Sequence, residues 1–95
     1  MDGGAAKPVR FTEHALARMK QRGATEEDVI EAILTGRKEP AGRGRAQFRL
    51  NRSYGKVWAG RTYEIQQIVA IVAEEPDCLV VVTVLTFYFQ EGGER

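Results

Sequence analysis

Three residues near the start of the chain have the types and spacing for phosphate chemistry. His14, Arg18 and Arg22 recur every fourth position, so on an α-helix they share an arc of about 80°. Imidazole is the side chain whose ordinary pKa lies closest to neutrality, which suits proton transfer. Guanidinium holds phosphate oxygens through paired N–H donors. Together they fit metal-independent RNA cleavage, with a base for the 2′-hydroxyl, an acid for the departing 5′-oxygen and fixed positive charge around the phosphorane. The same triplet fits a solvated helix flank, on which His14 orders the first turn and the arginines pair with Glu26, Glu27 or acids on the sheet. Only one histidine occurs in 95 residues, so no second proton-transfer group is identified.

A second set lies in the middle of the chain. The net charge is +1, yet residues 37–61 carry eight Lys/Arg against Glu39 alone, a local +7, while 1–36 sum to −1 and 62–95 to −5. A positive block inside a near-neutral protein marks a polyanion footprint, or else a set of solubilising charges. Within it, Arg43, Arg45, Arg49 and Arg61 are the candidate phosphate contacts. Tyr54, Trp58 and Tyr63 interleave with the cations as base stacking requires, although aromatic residues in so short a chain also serve the core. Tyr54 is the one expected at the interface. Gly42-Arg43-Gly44 is not a phosphate-cradling nucleotide motif.

These side chains need elements to carry them. Val9-Arg10-Phe11 predicts a short strand. Thr12 as N-cap and Gly23 as stop predict a helix over 13–22. Thr25-Glu26-Glu27-Asp28 reads as a capping box opening a helix over 26–35, with Val29, Ile30, Ile33 and Leu34 on its apolar face. Residues 37–45 lack apolar periodicity and predict a basic, mobile loop. From Ala46 the period is two, with Arg45, Gln47 and Arg49 on one face and Ala46, Phe48 and Leu50 on the other. Asn51–Gly55 predicts a turn into Lys56–Ala59, Gly60-Arg61 another turn, and 63–73 and 79–88 long strands joined at Glu75-Pro76-Asp77. Ile68–Ala73 and Leu79–Leu85 are apolar on both alternating faces. One face can pack on the helices, and the other needs a partner chain, a second copy or a folded-back tail.

The run Phe11-Thr12-x-His14-Ala15-x-x-Arg18-Met19-x-x-Arg22-Gly23, then Thr25-x-x-x-Val29, Gly36 and Val81-Val82-Thr83-Val84 resembles the bacterial "domain of unknown function 4258" family. That family is grouped with RelE/ParE-like toxins among the barnase–EndoU–colicin–RelE metal-independent ribonucleases. The resemblance covers about residues 9–88. It implies active-site roles at His14, Arg18, Arg22 and Thr83, and an antitoxin as partner. For Thr83, filling a β-strand position is the alternative.

The expected fold is therefore α+β: a short N-terminal strand and a two-helix hairpin packed on one face of a twisted antiparallel sheet of about four strands. Residues 1–8 are expected as a disordered tail, 9–89 as one RelE-like domain and 90–95 as a second tail. One cysteine, Cys78, excludes an intramolecular disulfide, and one His with one Cys excludes a closed zinc site, so neither metal nor cofactor is expected. Neither a signal peptide nor a membrane-length apolar run is apparent, which predicts a cytoplasmic protein. The function expected is RNA binding, with endoribonuclease toxin activity as its sharper form. The alternative is a non-catalytic interaction module acting as a homodimer or in a hetero-complex.

Overall fold

A computed structural model describes residues 7–90; of the tails expected at 1–8 and 90–95, residues 1–6 and 91–95 lie outside the described residues. The elements run β1 (Val9–Phe11), α1 (Glu13–Arg22), α2 (Glu26–Thr35), β2 (Arg37–Pro40), β3 (Ala46–Trp58), β4 (Arg61–Glu74) and β5 (Leu79–Phe89). They build a five-stranded sheet in the order β1-β5-β4-β3-β2. β1 pairs parallel to β5, while every other pair is antiparallel. The sheet is thus mixed and five-stranded, not antiparallel with about four strands.

Both helices form where the caps place them. The Thr12 hydroxyl accepts from the Ala15 N–H at 3.0 Å and donates to the Val82 carbonyl at 3.1 Å, so one side chain caps α1 and docks it on β5. At the other end Gly23 takes φ 80°, and a Cβ there would lie 2.6 Å from Cζ3 of Trp58. Thr25 and Asp28 exchange side-chain to backbone bonds in a complete capping box. α1 lies over β5, and α2 crosses β4, β3 and β2. On α2 the buried residues are Val29 and Ala32, whereas Leu34, expected on the apolar face, is 71% exposed. At 100° per residue Leu34 falls well round from Val29, and Ala32 takes the inner position.

Two expectations about the middle of the chain need correction. Arg37–Pro40 is a strand, not part of a mobile loop, and pairs with Ala46–Arg49. It is an edge strand whose outer side meets solvent; charge and a terminal proline suit such an edge, and no apolar alternation is demanded of it. Asn51–Gly55 is no turn either. β3 runs straight through it, absorbing the extra chain in a bulge between Ser53 and Lys56, where Gly55 adopts φ 63°. The reversal comes at Ala59-Gly60, both with positive φ, as a two-residue hairpin of this twist requires.

The core lies between the helices and one sheet face. Ala15, Met19, Val29 and Ala32 meet Ala46, Phe48, Ile68, Ala70, Val72, Val81 and Val84. One polar side chain, Gln66, is fully buried there, and its partners are all present. Its Oε1 accepts from Arg52 Nε at 3.1 Å, and its Nε2 donates to the Gly23 carbonyl and the Tyr88 hydroxyl. Arg52 reaches on to Asp28 at 2.8 Å and Glu31 at 3.1 Å. This arginine of the basic block therefore ties β3 to α2.

Candidate functional site

Pleating assigns each strand residue to a face. Because Ile68, Ala70, Val72 and Val81 pack toward the helices, the alternate residues of β4 and their partners point away. Across this open face the register sets up rows: Arg37–Arg49–Val69–Leu85, Glu39–Gln47–Ile71–Thr83, Asn51–Gln67–Phe87 and Ser53–Ile65–Phe89. Arg10 joins at the far margin beside Val80. The β2–β3 half is cationic and amide-rich, and the β4–β5 half is apolar. Among the described residues no helix covers either half. Phe87 and Phe89 are 43% and 40% exposed.

A hydrogen-bonded chain orders the polar half. Arg49 Nη2 donates to Glu39 at 3.3 Å, and its Nη1 donates to Gln67 Oε1 at 3.2 Å. Gln67 Nε2 donates in turn to Asn51 Oδ1 at 2.8 Å, and Gln47 Nε2 donates to Glu39 at 2.9 Å. The bonds from Arg49 and then Gln47 hold the Glu39 carboxyl below its ordinary pKa. Arg49 is thus held with its guanidinium on the face, paired with the Glu39 carboxylate that Arg37 also approaches at 3.6 Å.

The expected site residues separate into three groups. Arg49 and Thr83 lie on the open face, and Arg43 and Arg45 sit in the β2–β3 turn at its end. His14, Arg18 and Arg22 lie on α1, behind the sheet and over β5. On α1 the stripe exists as read: Arg18 Nε donates to His14 Nε2 at 3.4 Å, and Arg18 Nη1 donates to Gln21 at 2.9 Å, all exposed. Arg22, however, spends Nη1 on the Val84 carbonyl at 2.8 Å, capping the β5 edge beyond the end of β1. Two strand spacings and the thickness of the sheet divide His14 from Arg49, so the two sets do not converge on one pocket.

Tyr54 and Arg61 form the third group, at the far end of the β3–β4 hairpin. Tyr54, Trp58 and Tyr63 surround Tyr88 with ring centroids 5.1–5.6 Å apart. Tyr88 donates its hydroxyl to the Arg22 carbonyl at 2.6 Å. Its contact with Tyr88 places the Tyr54 ring at the end of α1 and not on the open face, and burial there pushes the phenol above its ordinary pKa. Arg61 stacks over Tyr63 at 5.9 Å.

Sequence reasoning missed Arg37, Asn51, Gln67, Phe87 and Phe89. Period-two alternation from Thr83 through Leu85 would have found the two phenylalanines. Arg37 was hidden by the loop-like composition around it. Among the described residues no group of three or more His, Cys, Asp or Glu could hold a metal ion, and no helix is long and apolar enough to cross a membrane. Cys78 is buried and free.

The family model described as "Domain of unknown function (DUF4258)" matches residues 11–86. No curated protein and no solved structure matches the chain.

Proposed function

The chain belongs to the domain of unknown function 4258 family, and from that premise we propose that it is an RNA-binding protein of RelE/ParE-like fold. Its RNA platform is the open sheet face. The observation that carries this reading is the placement of Arg37 and Arg49 on the same uncovered face as Phe87 and Phe89. Single-stranded RNA asks for cations along the backbone and exposed rings for its unstacked bases, and a sheet face can present both. Arg43 and Arg45 extend the cationic margin at the β2–β3 turn.

The proposal is one of binding. The open face holds no imidazole, and His14 lies behind the sheet, so the face does not assemble the acid–base pair of metal-independent cleavage. Cleavage in EDTA that disappears in His14→Ala would instead make the α1 stripe a separate centre.

Fluorescence anisotropy with a labelled single-stranded RNA tests the reading. Four phosphate contacts, from Arg37, Arg43, Arg45 and Arg49, predict a log–log salt slope of about −3. Phe87→Ser with Phe89→Ser is expected to weaken binding by about 1–3 kcal/mol per stacked base, with His14→Ala unchanged. Salt-insensitive or absent binding overturns the proposal.

A second reading is favoured by the apolar half of the same face. Ile65, Ile71, Leu85, Phe87 and Phe89 suit a protein partner, either a second copy or an antitoxin-like chain. A dimer in sedimentation equilibrium that Phe87→Ser dissociates, without RNA binding, selects the interaction module.

A further inference from the structure

The stripe of His14, Arg18 and Arg22, which the open face leaves unused, flanks a free edge of the sheet. β1 pairs with β5 only along 79–81 and then gives way to α1 at Thr12, so residues 84–89 of β5 have no strand on that side among the described residues. Val81 and Val84 pack in the core, and the Thr86 and Tyr88 hydroxyls donate to the Arg22 carbonyl, so all four side chains lie on the helix face. Within one strand, residues that share a face turn their backbone N–H and C=O to the same side. Val81 turns its carbonyl outward to the Thr12 N–H, and Val84, Thr86 and Tyr88 therefore turn outward too. Apart from the Val84 carbonyl, held by Arg22, no described residue bonds the outward groups of these three.

The two edges of the sheet are built differently. β2 closes its side with Arg37-Lys38-Glu39-Pro40, a charged edge that ends in proline and discourages pairing. β5 carries no charge from Leu79 to Phe89, so nothing in it repels another strand. Its charge is supplied from above. At 100° per residue, Arg22, Arg18 and His14 fall about 20°, 60° and 100° to one side of Ala15, with Met19 and Leu16 on the other. Ala15 faces the core, and the bond from Arg22 to the outward Val84 carbonyl identifies that side of α1 as the one over the free edge. Among the described residues no carboxylate pairs with any of the three.

We propose that this edge takes up an extended segment of a protein partner as a sixth strand beside β5, in line with β1, and that acidic and apolar side chains alternate along the segment. The backbone groups of Val84, Thr86 and Tyr88 supply the affinity of strand addition, and the flanking side chains supply its selectivity. Those that the segment turns toward α1 meet Arg18, Arg22 and His14. Those that it turns the other way lie beside Leu85 and Phe87 on the open face. The inference is independent of RNA binding, which uses the face and not the edge, and it gives the α1 stripe a duty that needs no proton transfer.

The test uses the full chain and fluorescein-labelled octapeptides in fluorescence anisotropy. A peptide alternating Glu and Val is expected to bind about tenfold more tightly than one alternating Lys and Val. N-methylation of one alternate set of its residues removes the donors that face β5 and is expected to abolish binding. Methylation of the other set, whose N–H groups face solvent, is tolerated. Hydrogen exchange of the Thr86 and Tyr88 amides is expected to slow in the complex. Arg18→Glu reverses one charge of the stripe without touching the core, and is expected to weaken the Glu–Val peptide about tenfold. Equal affinity for the two peptides, failure of both to bind, methylation that acts at both sets or at neither, unchanged exchange at β5, or an indifferent Arg18→Glu each overturns the proposal.

Discussion

Arginine 52 and arginine 49 are three positions apart, and pleating sends them to opposite faces with opposite duties. Arg52 supplies donors to buried Gln66 and to Asp28 and Glu31. Arg52→Met should therefore destabilise the fold by about 2–3 kcal/mol, because it orphans a buried amide oxygen and a half-buried carboxylate; urea midpoints measure this. Arg49 faces outward and depresses the Glu39 pKa. A carboxyl whose folded pKa is lowered contributes stability above its unfolded value and loses it as pH falls through the folded one. Arg49→Gln should raise the Glu39 midpoint toward its ordinary value in an NMR titration, narrowing that acidic window. A Glu39 midpoint that does not move would remove the ion pair from the face. Composition alone made both residues members of one basic block; alternation from Ala46 separates them only once β3 is known to run on past Asn51.

At the scale of elements, what could be read from sequence were the features that local chemistry dictates. Thr12 and Gly23 bracket α1, and Thr25 with Asp28 opens α2, because caps answer to the orphan groups of their own helix. β2 escaped because an edge strand needs no apolar alternation, and the β3 bulge escaped because Asn-Arg-Ser-Tyr-Gly reads as a turn as readily as a bulge. Gly23 joins the scales. Its left-handed φ ends α1, and Trp58 and Tyr88 from two strands close over it. Gly23→Ala should cost about 2–4 kcal/mol, combining backbone strain with overpacking, read as a fall in thermal midpoint. A neutral outcome would mean that the hairpin end is loosely packed.

For the whole molecule, the placement of the helices decides what the surface offers. Both pack on one face, leaving the other with cations at β2 and β3 and aromatic rings on β5. His14 and Arg49 were both read as candidate site residues, but their separation by the sheet is a tertiary fact that no local spacing encodes. The reading of the open face as an RNA platform also predicts where contact is absent. The most direct measurement is an NMR titration of the ¹⁵N-labelled chain with unstructured single-stranded RNA at low salt. Amide shifts are expected at Arg37, Arg49, Gln67, Phe87 and Phe89, with His14 to Arg22 unmoved. Shifts confined to α1, or none at saturating RNA, would contradict it.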